Sequence, residues 1–249
     1  MYPINVKSEI GPLKKVMLHR PGREIEKLTP DTLRHLLFDD IPYLRIAQEE
    51  HDSFADILRQ NDVEVVYLSD LVEESIINEE VRNQLIAELI DDAGIKTSRE
   101  RDILTEYFRS LNKKTMIAQM MAGIRKTDIQ QFEDKSLGDF LRNLNNEYPF
   151  ILDPMPNLYF TRDPFATIGN GVSIHKMCTE TRHRETLFAK FIFAYHPLYK
   201  DTKVWYDRNE NFSIEGGDIL ILNPETIAIG ISQRTHENAI EKFAQKVLT

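Results

Sequence analysis

A pattern that occurs twice in the last hundred or so residues constrains the fold more than any other feature of the sequence. In the first copy, Asp163 precedes an apolar run, a turn at Gly169-Asn170-Gly171 and a second apolar run. The second copy begins about 55 residues later at Asp218. Each copy continues through an arginine, Arg182 or Arg234, into an amphipathic stretch. Apolar runs on both sides of a turn indicate a β-hairpin, so each copy predicts a hairpin followed by a helix.

Units repeated at this period are typical of propeller-like arrays, in which each unit covers the apolar face of its neighbour. Two or three such units do not close a ring. We therefore expect an α/β chain that forms an incomplete propeller.

The prolines divide the chain. All 11 lie between Pro3 and Pro42 or between Pro149 and Pro224. In the gap, apolar residues recur at helical spacing, as in Val81, Leu85 and Leu89. We predict a first α/β unit over residues 1–70, an inserted all-helical bundle over residues 71–147, and a second and third α/β unit over residues 148–249.

Charge and composition exclude several classes of protein. The chain has 31 basic and 40 acidic residues, a net charge of −9, and its basic residues are scattered, which disfavours a nucleic-acid partner. No apolar run approaches the ~20 residues that span a bilayer, and the first residues do not resemble a secretory signal, so we expect a cytoplasmic protein without a membrane partner. The single cysteine, Cys178, excludes a disulfide framework and a zinc site built on paired cysteines. The histidines lack metal-ligand spacing, and we expect neither a metal nor another cofactor.

One candidate site follows a loop that mixes turn residues, aromatic residues and charge. At its end, Asp163 could accept two parallel N–H bonds from a planar guanidinium, with Phe160 as an apolar wall. Alternatively, Asp163 caps the turn before Pro164 and pairs with Arg162.

A second cluster places Glu215 and Asp218 around two glycines, which permit a close approach of the backbone to a ligand. The simpler interpretation is a turn with solvated acids. Arg182 and Arg234 occupy matching positions in the two copies and could converge on an α-carboxylate, although surface salt bridges would also explain them. Together the acids and arginines suit a molecule that is positive at one end and negative at the other, such as free arginine.

Segments spread along the whole chain resemble the arginine deiminase family. They are Ser8-Glu9-Ile10-Gly11, Leu18-His19-Arg20-Pro21-Gly22, Leu36-Leu37-Phe38-Asp39-Asp40-Ile41-Pro42, residues 157–165, Arg182-His183-Arg184-Glu185-Thr186, Glu215-Gly216-Gly217-Asp218 and Gly230-Ile231-Ser232-Gln233-Arg234-Thr235.

The resemblance implies a pentein fold, a five-fold pseudo-symmetric α/β propeller with a helical domain inserted after the first unit. It implies hydrolysis of L-arginine to L-citrulline and ammonia without a metal. It also implies a role for each candidate residue. Asp163 would be a catalytic acid that holds the guanidinium, Glu215 would support the site beside the catalytic histidine, and Arg182 and Arg234 would clamp the α-carboxylate. Asn157 and Phe160 would form walls of the pocket, and Asp218 would contact the polar end of the substrate.

In the family, a cysteine thiolate attacks the guanidinium carbon and a histidine moves protons. The family's Arg-Cys-Met-Ser and His-Leu-Asp motifs are absent from these 249 residues, and Cys178 stands in an unrelated context. We therefore read the chain as the N-terminal part of such an enzyme and expect no turnover from it alone. Alternatives are a non-catalytic guanidinium-binding or assembly fragment, whose exposed edge would permit a homo-oligomer, and another guanidine-modifying enzyme such as an amidinotransferase or a dimethylarginine hydrolase.

Overall fold

The computed structural model describes residues 3–132 and 148–248, which form two compact units of mixed α/β structure. One unit consists of chain segments 1–19, 53–77 and 158–249, and the other of segments 20–52 and 78–157. The mixed α/β class is confirmed. The division into three segments remains a prediction, and residues 133–147 of the predicted helical insert lie outside the described residues.

The helices of the described residues, in chain order, are α1 (Arg23–Glu26), α2 (Pro30–Leu36), α3 (Leu44–Gln60), α4 (Leu68–Ser75), α5 (Glu79–Asp92), α6 (Ser98–Ser110), α7 (Lys113–Ala122), α8 (Glu180–His183), α9 (Glu185–Tyr195) and α10 (Glu237–Val247). The strands are β1 (Lys15–Leu18), β2 (Glu64–Tyr67), β3 (Ile124–Arg125), β4 (Phe150–Leu152), β5 (Phe165–Ile168), β6 (Gly171–Ile174), β7 (Lys203–Tyr206), β8 (Ile219–Asn223) and β9 (Thr226–Ile229). Short 3₁₀ helices cover Lys126–Phe132, Pro156–Tyr159 and Gly216–Asp218.

The first predicted hairpin is present and is extended by a third strand. β5 and β6 pair antiparallel, with Phe165 opposite Ile174, and β7 lies parallel to β6. A parallel neighbour requires a crossover, which α8 and α9 provide. β7 was not predicted from the sequence, because its four residues lack the alternation of apolar and polar residues that is typical of a half-buried strand.

The second predicted hairpin, β8 and β9, pairs antiparallel from Ile219 opposite Ile229. β8 is apolar on both faces: Ile219 and Ile221 are buried, whereas Leu220 and Leu222 are each 51% exposed. The buried face shares a core with the first hairpin and with α10, and this core consists of Ala166, Ile168, Tyr206, Ile214, Ile219, Ile221, Ala239 and Phe243. Burial of this shared apolar surface holds the two repeated units together.

The same unit contains the parallel pair β1 and β2, in register from Lys15 opposite Glu64 to Leu18 opposite Tyr67. An ion pair of 2.9 Å joins Lys15 Nζ to Glu64 Oε1 at its edge. α4 follows β2 directly and packs against α9.

The other unit is mainly helical. α5 packs against α6, and α1 packs against α7. Side chains cap the N-termini of α5 and α7. The side-chain Oδ1 of Asn78 accepts the main-chain N–H of Val81 at 2.9 Å, and the side-chain Oδ1 of Asn112 accepts that of Thr115 at 2.9 Å. Such caps satisfy N–H groups that the helix itself leaves without partners.

Among the described residues, no helix combines the length and apolarity needed to cross a bilayer.

We predict that Asn78→Ala lowers the free energy of unfolding of the helical unit by about 1 kcal/mol, because the N-terminal N–H groups of α5 lose their cap. Urea titration followed by circular dichroism measures the change. Asn78→Asp, which keeps an acceptor at the same position, should lose much less. Equal losses in both variants would show that the cap does not stabilise α5.

Candidate functional site

Asp163 lies at the entrance to β5, at the open end of the first hairpin. Its Oδ2 accepts a hydrogen bond of 2.8 Å from Arg182 Nη1, and its side chain is 23% exposed. Its main-chain carbonyl accepts two further bonds, at 2.6 Å from His175 Nδ1 and at 3.2 Å from the Gly216 N–H. Asp163 is therefore fixed through its backbone, and its carboxylate accepts a guanidinium N–H from within the protein.

Arg182 is a buried cation held between two acids. Its Nε and Nη2 donate to the Glu185 carboxylate at 2.9 to 3.2 Å, and its Nη1 donates to Asp163. Burial alone would lower the pKa of Arg182, but the two carboxylates outweigh this and raise it. Burial raises the pKa of Glu185, and the nearby Arg182 guanidinium offsets only part of this rise. The interpretation of Arg182 as a surface salt bridge is therefore wrong, since the side chain is 3% exposed.

The diglycine loop of the second hairpin lies against Asp163. A Cβ atom at Gly216 would stand 2.0 Å from the Arg162 carbonyl oxygen, so only glycine fits this approach. A Cβ atom at Gly217 would stand 3.5 Å from Asp163 Oδ1. The open ends of the two hairpins thus meet at Asp163 and Gly216.

Glu215, which precedes this loop, is a second buried acid. Its Oε2 accepts from Arg234 Nη1 at 3.1 Å and its Oε1 accepts the Cys178 N–H at 3.1 Å. The carboxylate is 3% exposed, whereas the Arg234 side chain is 58% exposed. Asp163 and Glu215 are therefore each paired with one of the predicted arginines, and the two pairs flank Gly216.

The remaining predicted residues have other surroundings. Asp218 accepts from the Ser232 hydroxyl at 2.7 Å. Phe160 is 46% exposed and packs edge-on against Tyr159. Asn157 belongs to the other compact unit, where its buried side-chain amide donates to the Leu36 carbonyl at 2.7 Å.

The alternative in which Asp163 pairs with Arg162 does not describe the structure. Arg162 Nη2 donates to Glu9 Oε1 at 2.8 Å and to the Ile219 carbonyl at 2.8 Å. Arg162 therefore joins the N-terminal segment to β8, and Asp163 is left to Arg182.

Sequence reasoning missed two residues that shape the site, His175 and Glu185. Glu185 stands three residues after Arg182, a spacing that brings side chains together on a helical segment and that could have revealed it. His175 follows β6 and is completely buried. No signal in the sequence distinguishes it from an ordinary buried histidine.

The protonation of His175 follows from its partner. A carbonyl oxygen only accepts, so Nδ1 carries the proton, and Nε2 has no hydrogen-bond partner among the described residues. Burial lowers the pKa of His175 to about 4. At neutral pH the ring is a neutral donor that holds the Asp163 backbone.

Within residues 3–132 and 148–248, no group of three or more His, Cys, Asp or Glu side chains is arranged to hold a metal ion.

We predict that Gly216→Ala lowers the free energy of unfolding by about 1 to 3 kcal/mol, because the added methyl group displaces the Arg162 carbonyl. Gly11→Ala is the matched control, since its added Cβ atom would meet nothing closer than 3.8 Å. Denaturant titrations of both variants give the difference. Equal stabilities would contradict the close approach at Gly216.

We predict that His175 makes the protein less stable as the pH falls from about 6.5 to 4. The pKa of His175 is lower in the folded state than its ordinary value of 6.5. Between pH 6.5 and 4, protons therefore bind preferentially to the unfolded chain. The stability that His175 contributes above pH 6.5 is lost as the pH falls through this window. The loss from this residue should approach about 3 kcal/mol. Thermal unfolding across this range measures it.

His175→Asn keeps an N–H donor near the position of Nδ1 but does not titrate. The pH dependence of its stability should therefore be shallower than that of the original chain. An unchanged slope would show that His175 is not the group responsible.

Comparisons with known proteins identify the family of the chain. The family model "Arginine deiminase" matches residues 34–249. The chain is 55% identical over 249 residues to an arginine deiminase of Clostridium perfringens, 52% over 247 residues to one of Borrelia duttonii and 53% over 245 residues to one of Streptococcus uberis. These alignments cover 97 to 98% of the chain and 59 to 60% of each relative, so the chain spans about 60% of the length of these proteins. The chain belongs to the arginine deiminase family.

Proposed function

We propose that this chain forms the arginine-binding part of an enzyme that hydrolyses L-arginine to L-citrulline and ammonia. The observation that carries the proposal is the contact between Asp163 and the Arg182 guanidinium, 2.8 Å long and partly shielded from solvent. A carboxylate that accepts a guanidinium N–H of the protein itself has the position and charge to accept one from free arginine.

The two acids would hold the cationic end of the substrate. Asp163 and Glu215 are joined through the Gly216 backbone, and both carboxylates are at least half-buried. Charge attraction is stronger in such an environment than in water, because less solvent screens it. Asp163 would hold the guanidinium and take part in proton transfer, and Glu215 would support the site beside it.

The arginines would hold the α-carboxylate of the substrate. Arg234 is exposed over more than half of its side chain and can turn from Glu215 towards a ligand. Arg182 is held more tightly by Asp163 and Glu185, and its proposed role is to complete the clamp. Phe160 is proposed as a pocket wall, and Asp218 as a contact with the polar end of the substrate.

The covalent chemistry lies outside the residues of this chain. Attack on the guanidinium carbon requires a thiolate, and the single cysteine, Cys178, donates its S–H to the Gln233 carbonyl at 3.1 Å. A carboxylate cannot replace that nucleophile. We therefore propose that the chain binds arginine without converting it.

Several finer features remain proposals from the family resemblance and the sequence. They are the pentein propeller with an incomplete ring, the cytoplasmic location, the lack of nucleic-acid partners and the homo-oligomer. The exposed Leu220 and Leu222 of β8 support the last of these, because contiguous apolar surface favours association.

We predict that calorimetric titration detects binding of L-arginine and weaker binding of L-citrulline, which has the same shape without the positive charge. Asp163→Asn should weaken arginine binding by about 10-fold to 100-fold, the loss expected for one hydrogen bond to a charged group. Asp201→Asn, on an exposed turn of the same unit, is the matched control and should leave binding unchanged.

Agmatine has the guanidinium of arginine but lacks the α-carboxylate, so it tests the two ends of the site separately. Arg234→Gln should weaken binding of arginine but not of agmatine. Equal affinity for arginine and citrulline would overturn the proposed site. Citrulline production by the purified chain that is abolished in Asp163→Ala would overturn the proposal that it binds without turnover.

A further inference from the structure

A cavity of about 500 Å³ lies at the turn end of the two hairpins, within the same compact unit as the acids. The β5–β6 turn lines one side of it with Gly169 and Asn170, and the β8–β9 turn lines another with Asn223 and Pro224. Its volume falls in the range of small-molecule sites, about 300 to 1,000 Å³.

The cavity is distinct from the candidate arginine site. Asp163 and Asp218 stand before the first residues of β5 and β8, whereas the cavity lies beyond their last residues. At about 3.3 Å per residue, the strands separate the two regions by roughly 15 to 20 Å. A ligand in the cavity would touch none of the acids or arginines described above.

Three lysines surround the cavity and give it a positive rim. Lys7 comes from the N-terminal segment, Lys203 from β7 and Lys246 from the last turn of α10. Lys246 also lies 3.9 Å from Glu210, which is not part of the lining. None of the described residues that line the cavity is acidic, although the chain as a whole carries a net charge of −9.

The remaining lining is apolar and includes an aromatic wall. Ile227 and Trp205 are only partly buried, and they contribute aliphatic surface and an indole ring. The Trp205 N–H donates to the Ile168 carbonyl at 2.8 Å, which fixes the ring, and the Lys203 ammonium lies 5.6 Å from the ring centre. An apolar wall beside a cationic rim matches a ligand with an apolar body and a negative head.

We propose that this cavity binds a small organic anion consisting of an aromatic or aliphatic body and one carboxylate. The body packs against Trp205 and Ile227, and the carboxylate accepts N–H bonds from the lysines. This site is independent of the proposed arginine site.

The test uses the only tryptophan of the chain as its reporter. Because Trp205 lines the cavity, selective excitation of its fluorescence records occupancy directly. The 249-residue chain is titrated with 4-phenylbutanoate, 4-phenylbutan-1-ol and 4-phenylbutylammonium, which share a body and differ in the head group. We expect a saturable change with 4-phenylbutanoate and a dissociation constant on the order of 1 mM, a reasonable affinity for about a dozen non-hydrogen atoms.

The alcohol should bind at least about fivefold more weakly than the carboxylate, and the ammonium compound should give no saturable change. The double variant Lys7→Gln with Lys203→Gln should weaken binding of 4-phenylbutanoate by about tenfold. Lys114→Gln, on α7 of the other compact unit, is the matched control and should leave it unchanged.

Three results would overturn the proposal: no saturable change with 4-phenylbutanoate, equal affinities for carboxylate and alcohol, or an unchanged affinity in the double lysine variant. The binding of L-arginine, measured by calorimetry, does not depend on these lysines. If the cavity does not bind 4-phenylbutanoate, the proposed function is therefore unaffected. Loss of arginine binding in the double variant would contradict the independence of the two sites.

Discussion

The site depends on the close approach of two backbone segments, Arg162-Asp163 and Gly216. The Gly216 N–H donates to the Asp163 carbonyl, and there is no room for a side chain at residue 216. This contact connects the open ends of the two hairpins, whose strands share one core. His175 donates to the same carbonyl of Asp163. The hydrogen bonds to this carbonyl therefore fix both the packing of the two hairpins and the position of the Asp163 side chain.

The charges are arranged around that contact as two pairs of different character. Arg182 is enclosed by Asp163 and Glu185, and its removal would leave two carboxylates without a counter-charge in a largely buried position. Arg234 is mostly in solvent and meets Glu215 at the edge of the buried region. Burial of one pair favours a fixed geometry, whereas exposure of the other leaves a side chain able to reorient when a ligand arrives.

The sequence revealed features that depend on local pattern. Both hairpins and the helices after them could be predicted, because turn residues and apolar spacing act within a few positions. β7 was missed because it is short and its pairing with β6 comes from a crossover rather than a turn. The partners of Arg162 and Asp163 were also beyond local reasoning, since Glu9 and Arg182 are distant along the chain. His175 was missed for another reason: its importance comes from a single side-chain hydrogen bond to a main-chain carbonyl of the same hairpin, which no sequence pattern indicates.

The surroundings of Cys178 make the chain well suited to site-specific spectroscopy. It is the only cysteine and it is exposed, so a maleimide fluorophore or a nitroxide attaches at one known position without prior mutagenesis. Its main-chain N–H is hydrogen-bonded to Glu215, and its thiol contacts the Gln233 carbonyl, next to Arg234 in the sequence. A label at this position therefore stands beside the second acid–arginine pair and reports on local motion there.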